Sequence, residues 1–147
     1  MAILRCEDVM TRHPRTCEPS ETLLECIRTM KELNVGYVPI CEATVGRLVG
    51  VVTDRDVAMA LSHDESPSQL RIADVMTKDP IACRPEEDVF ACARAMEDHK
   101  LRRIPVVDQN NILLGVIALA DLARQSVQHK ELELELGTVM EQVSQPG

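Results

Sequence analysis

Asp8-Val9-Met10-Thr11 returns, letter for letter, as Asp74-Val75-Met76-Thr77. The match continues well past these four residues. Pro14, Cys17, Pro19, Glu21, Cys26, Arg28, Met30 and Pro39 return as Pro80, Cys83, Pro85, Glu87, Cys92, Arg94, Met96 and Pro105, an offset of 66 residues as from Pro14 to Pro80. Farther on, Gly50, Val51, Asp56 and Ala58 meet Gly115, Val116, Asp121 and Ala123, an offset of 65 as from Gly50 to Gly115. The first copy therefore carries one extra residue between Cys41 and Leu48. A repeat of this length is a whole supersecondary unit, and two copies pack most simply about a pseudo-twofold axis with a groove along it.

Each copy reads strand, helix, strand, strand, helix. In the first, Arg15–Cys17 is a short extended piece between Pro14 and Pro19. Ser20 is placed to cap a helix running to about Leu33, with Leu23, Ile27 and Met30 on one face, and Asn34 and Gly36 end it. Tyr37–Cys41 and Leu48–Val52 are apolar strands, and Thr53 opens a second helix. The second copy repeats this plan, with strands Ile104–Val107 and Leu113–Ile117 joined by the turn residues Asp108-Gln109-Asn110-Asn111. The expected fold is mixed α/β (α+β). Its organisation is a first repeat over residues 1–62, a polar linker over 63–70, a second repeat over 71–127 and a tail over 128–147. In the tail, Leu132, Leu136, Val139 or Met140, and Val143 fit one helical face, docked on the body or on a second subunit. Gly137 weakens that helix by about 1 kcal/mol.

Composition narrows the function. The 147 residues are 45% hydrophobic but 1% aromatic, Tyr37 and Phe90 with no Trp, so the core is aliphatic and Met-rich. A net charge of −8 argues against a nucleic-acid binder and suits a solvated acidic surface. There is no apolar run near the ~18 residues of a membrane span, and Met1–Asp8 lacks the pattern of a secretory signal, so the expected location is cytoplasmic. The six cysteines, Cys6, Cys17, Cys26, Cys41, Cys83 and Cys92, form no CxxC and read as small buried hydrophobes.

Gly50-Val51-Val52-Thr53-Asp54-Arg55-Asp56 is the sharpest local signal. A strand leaves through Val52 and a helix begins at Thr53. Thr53 and Asp56 fit a capping box. The same atoms fit a ligand: a hydroxyl and helix N–H groups for a phosphate, and an aspartate for a ribose diol. The second copy reads Gly115-Val116-Ile117-Ala118-Leu119-Ala120-Asp121, so the hydroxyl is lost but the aspartate stays. An Asp121 without its capping partner points to a role beyond the cap. In Asp98-His99-Lys100-Leu101-Arg102-Arg103-Ile104-Pro105-Val106 lies the densest cationic cluster, and one of Arg102 and Arg103 is placed to contact an anion. No nucleophile, base or Gly-rich phosphate loop has catalytic spacing, so no enzyme activity is expected.

The doubled plan, the Asp-Val-Met-Thr openings, the strands Tyr37-Val38-Pro39-Ile40 and Arg103-Ile104-Pro105-Val106, and Gly-Val-Val-Thr-Asp-Arg-Asp together resemble a tandem pair of cystathionine-β-synthase-type (CBS) domains, over about residues 5–127. The resemblance implies a stand-alone pair of βαββα repeats with two clefts between the copies. Such clefts take adenosine-containing ligands, with AMP, ADP or ATP as the expected class and no required cofactor. It assigns Thr53 to phosphate and Asp56 to ribose, and Asp121 to ribose in the second cleft, where Ala118 departs from the pattern. It places the adenine against Tyr37, Val38 and Pro39, or Arg103, Ile104 and Pro105. The segments Thr16-Cys17 and Ala82-Cys83 resemble the one whose backbone reads the adenine edge. The implied function is a regulatory nucleotide-binding module, a cytosolic energy or metabolite sensor. It would be a homodimer acting on a regulated protein partner, with no nucleic acid and no membrane. The alternatives are a dimerisation scaffold with degenerate clefts, and a module for NAD or S-adenosylmethionine.

Overall fold

The computed structural model describes residues 4–62, 64–126 and 130–144. The boundaries read from sequence at His63 and at 127–128 lie outside the described residues. The chain forms two compact units. Unit 2 is Arg15–Pro80 with the turn residues Asn111–Leu113; unit 1 gathers the chain up to Pro14, Ile81–Asn110 and the chain from Leu114 onward. The sequence repeat and the compact unit are thus offset: the segment that opens each copy folds with the other one.

In unit 2 the sheet is β2 (Tyr37–Cys41), β3 (Leu48–Thr53) and β4 (Thr77–Lys78), all antiparallel. Tyr37 pairs with Thr53, and Val51 with Thr77. Cys17 adds a parallel bridge on the outer edge of β2, donating its N–H to the Pro39 carbonyl (3.2 Å) and accepting from the Cys41 N–H (2.9 Å). Helices α2 (Leu23–Leu33), α3 (Asp54–Ala60) and α4 (Ile72–Val75) complete the unit. Their apolar faces meet the strands in one aliphatic core that includes Leu23, Met30, Ile40, Val52 and Ile72.

The start of α2 corrects the sequence reading. Its N-cap is Thr22, not Ser20. Thr22 Oγ accepts from the Glu25 N–H (3.2 Å), and the Glu25 carboxylate accepts from the Thr22 N–H (3.1 Å). Ser20 has Leu23 three residues on and can form no such reciprocal pair. At the other end Asn34 takes the left-handed conformation (φ 54°) that a short polar side chain tolerates.

In unit 1 the sheet order is β1 (Thr11–Arg12), β6 (Leu113–Ala118) and β5 (Arg103–Val107). Cys83 bridges β5 as Cys17 bridges β2. The four-residue α1 (Cys6–Val9) docks on α5 (Val89–His99) and α6 (Leu119–Ser126). The tail forms α7 (Lys130–Ser144), which packs on α5 and α6 with Leu136 and Val139 buried. No helix among the described residues is long and apolar enough to cross a membrane.

A Cβ at Gly137 in α7 would meet nothing within 4 Å. Gly137→Ala is therefore expected to raise stability by about 1 kcal/mol, the helix-propensity gap between the two residues. A urea midpoint that stays put or falls would contradict that placement.

Candidate functional site

The turn from β3 into α3 holds Thr53, Asp54 and Asp56. Thr53 is the N-cap in an extended conformation (φ −115°, ψ 169°). Its Oγ accepts from the Asp56 N–H (3.3 Å), and the Asp56 carboxylate accepts from the Thr53 N–H (2.9 Å) and from the Thr53 hydroxyl (3.0 Å). The capping box expected from sequence is complete. A third residue joins it. Thr77, on β4, donates its hydroxyl to Asp56 at 3.0 Å to Oδ1 and 3.2 Å to Oδ2. Two hydroxyls thus converge on one half-buried carboxylate.

Gly36 makes room for this turn. The Asp54 N–H donates to the Gly36 carbonyl (3.1 Å), and a Cβ on Gly36 would lie 2.2 Å from the Asp54 carboxylate. So Gly36 does not end α2; it lets the start of β2 press against the opening of α3. Tyr37, half-buried, stands opposite Thr53 in the ladder. Thr16 is exposed beside the β2 edge, while Cys17, Val38 and Pro39 are buried. Cys17 has its backbone N–H and C=O committed to β2, and Cys83 to β5, where it donates to Pro105 O (3.0 Å) and accepts from the Val107 N–H (2.9 Å).

Unit 1 repeats the turn with different chemistry. Asp121 is 7% exposed, and its Oδ2 accepts from the Ala118 N–H (2.7 Å). Its Oδ1 accepts from the Arg124 guanidinium one turn along α6. Half of the capping box therefore survives the loss of the hydroxyl, and the carboxylate is neutralised by Arg124. That corrects the inference that Asp121 lacks a capping partner. The Leu119 N–H donates to the Arg102 carbonyl (2.8 Å), as Asp54 does to Gly36. Arg102 is exposed, Arg103 opens β5 half-buried, and Pro105 is buried within that strand.

The structure thus brings Thr53, Asp56 and Tyr37 together in unit 2, and adds Thr77. Sequence reasoning missed Thr77 although it ends the second of the two tetrapeptides that reveal the repeat. Arg124 was missed as well; its signal was the i, i+3 spacing from Asp121.

Comparison with known proteins fits this arrangement. The model of the family described as CBS domain matches twice, over residues 6–63 and 72–127. The CBS domain-containing protein YhcV of Bacillus subtilis is 37% identical over 117 residues, 80% of this chain and 81% of that one. The CBS domain pair of protein MJ0100, solved with 5-methylthioadenosine and S-adenosyl-L-methionine, superposes with a TM-score of 0.76 at 25% identity, covering 86% of this chain and 98% of that chain. CBSX2 of Arabidopsis thaliana, solved with AMP, gives 0.73 at 26% identity, with the same coverage of 86% and 98%. The doubled sequence, the two three-stranded sheets and these matches agree: the chain belongs to the CBS-domain family, with two repeats.

Proposed function

We propose that this chain is a regulatory module that binds an adenosine-containing small molecule, of the AMP, ADP or ATP class, at the Thr53–Asp56 turn of unit 2. One observation carries the reading: Thr53, Thr77 and Asp56 cluster two hydroxyls on a half-buried carboxylate, the donors and acceptor that a ribose phosphate needs. The ribose diol donates to Asp56, displacing the Thr53 hydroxyl, which then donates to phosphate. Tyr37 and Thr16 are the residues proposed to meet the base, with the buried Val38 and Pro39 as apolar backing. Cys17 contributes packing only, because its backbone groups are committed to the sheet. In unit 1, Arg102 is exposed and Arg103 half-buried, and Pro105 and Cys83 are buried packing residues. The CBS pairs solved with AMP and with S-adenosyl-L-methionine support the adenosine class.

The regulatory step follows from sharing. Asp56 holds Thr77, and Thr77 belongs to β4. A diol arriving at Asp56 competes with that hydroxyl, so occupancy alters the grip on β4 and on the chain leading from it. A ligand shifts such an equilibrium by its differential affinity for the two states. The chain performs no chemistry of its own in this reading. It acts in the cytoplasm as a homodimer on a protein partner, apart from nucleic acid and membrane.

For unit 1 a second reading is favoured by the geometry there. Ala118 offers no hydroxyl and Asp121 is held by Arg124, so that turn is structural and resembles a scaffold.

Melting curves of the purified protein with AMP, ADP, ATP, NAD and S-adenosylmethionine test the proposal. A ligand that binds only the folded state stabilises it by about 2.7 kcal/mol at 100 times Kd. At least one of these compounds is expected to raise the melting temperature at millimolar concentration. No shift with any of them would overturn the adenosine reading.

A further inference from the structure

Among the described residues, the backbone turns to positive φ at His13 (52°), Asn34 (54°), Asp79 (49°), Lys100 (55°) and Asn111 (64°), glycine aside. Three of these have a local reason. Asn34 and Lys100 close the ends of α2 and α5, and Asn111 lies in the turn between β5 and β6. His13 and Asp79 close no helix. They are repeat equivalents, and each precedes a proline, Pro14 and Pro80, which favours extended backbone at the residue before it. Each also follows a two-residue strand, β1 for His13 and β4 for Asp79. The chain leaves unit 1 after Pro14 and leaves unit 2 after Pro80. The same unfavourable backbone thus recurs at both passages of the chain from one unit to the other.

A left-handed residue other than glycine persists only where its surroundings hold it. On one side of Asp79, β4 is held by two ladder positions, Thr77 with Val51 and Lys78 with Gly50, and by the Thr77 hydroxyl on Asp56 (3.0 and 3.2 Å). On the other side, Cys83 donates to the Pro105 carbonyl (3.0 Å) and accepts from the Val107 N–H (2.9 Å). Asp79 itself is exposed, and its side chain has no hydrogen bond or ion pair among the described residues. Its own carboxylate therefore does nothing to stabilise the turn. Unit 1 lacks the matching clamp. Thr11 pairs with Val116, but the Asp121 carboxylate is taken by the Ala118 N–H and by Arg124.

We propose, taking the Thr53–Asp56 turn as the ligand site, that Asp79 is a strained turn that drives β4 off its sheet when a ribose diol takes the Asp56 carboxylate. While Thr77 is bonded to Asp56, β4 stays paired and Asp79 stays left-handed. Once that bond is lost, two ladder positions alone oppose the turn. Asp79 then relaxes toward the extended backbone that Pro80 favours. Ligand affinity includes the free energy of this relaxation, because the ligand binds the released form better than the clamped one. The signs follow. A residue at ease with positive φ stabilises the clamped form and weakens binding. A residue that resists positive φ destabilises the clamped form and tightens binding.

Asp79→Gly and Asp79→Val in the full-length protein test this, with Asp79→Ala as the milder variant should valine block folding. Hydrogen-exchange protection over residues 76–79 is measured first, with no nucleotide added. It is expected to rise about fivefold in Asp79→Gly, since glycine carries no left-handed penalty, and to fall about fivefold in Asp79→Val. Thr77→Val, which removes the hydroxyl clamp, should lower it too. Titration calorimetry with AMP and with S-adenosylmethionine is the second reading. Affinity should fall about fivefold in Asp79→Gly and rise in Asp79→Val or Asp79→Ala. Protection that does not change with the residue at position 79 would overturn the proposal, whether or not a nucleotide binds. Protection that changes as expected while all variants bind with equal affinity would overturn it as well, because release would not be linked to binding. Binding of neither compound by the wild type would contradict the ligand reading instead, and the order of protection would still decide whether Asp79 is strained.

Discussion

Replacing Gly115 by valine is expected to tear β1 away from unit 1. A Cβ at Gly115 would lie 2.7 Å from the Thr11 carbonyl oxygen and 2.8 Å from the Met10 sulfur. Thr11 pairs with Val116, so the offending oxygen belongs to the neighbouring strand's backbone. A Met side chain can swing aside; a backbone carbonyl in a ladder cannot. The repeat supplies its own control, because a Cβ at Gly50 would lie 2.8 Å from the Thr77 carbonyl and 2.7 Å from the Met76 sulfur. Either valine should cost about 3 kcal/mol, the upper end for overpacking, since strand pairing is lost along with packing. Urea unfolding measures the loss, and hydrogen exchange of residues 4–12 locates it for Gly115→Val. Unchanged stability with protected N-terminal amides would mean that β1 does not run beside Gly115.

Asp56→Ala is expected to weaken binding of the adenosine ligand about 10- to 100-fold. Hydrogen bonds to a charged acceptor contribute roughly 1.5–3 kcal/mol, and each 1.4 kcal/mol is a factor of about ten. The stability cost should be smaller, about 1 kcal/mol for the helix cap. The two numbers separate the roles. Affinity falling while the melting temperature barely moves marks a ligand residue. A large stability loss with unchanged affinity would make Asp56 a capping residue alone.

The difference between what could be read in advance and what could not lies in the range of the interactions. Local chemistry was legible. Thr53 and Asp56 are three apart, and their box is set by backbone geometry that four residues suffice to specify. Tyr37–Cys41 and Leu48–Thr53 are apolar runs joined by a short turn, so their antiparallel pairing follows from neighbourhood. Partners distant in sequence were not legible. Thr11-Arg12 lies against Val116 and Gly115, although the sequence offers two similar sheets for a two-residue strand to join. Nothing in those two residues distinguishes one from the other. The Thr77–Asp56 bond was hidden for the same reason: it joins residues brought together by the pairing of β4 with β3, where Thr77 stands opposite Val51. At Asp121 the reading failed differently. The loss of the Thr hydroxyl at Ala118 suggested a vacant cap, but a backbone N–H needs no particular side chain to meet the carboxylate.

Titration calorimetry of the wild type, Asp56→Asn and Asp121→Asn with AMP and with S-adenosylmethionine tests the central claim most directly. The account predicts a binding isotherm in the wild type that Asp121→Asn preserves and Asp56→Asn removes or weakens at least tenfold, a loss of about 1.4 kcal/mol. Equal affinity in the wild type and Asp56→Asn, or a loss seen only in Asp121→Asn, would contradict it.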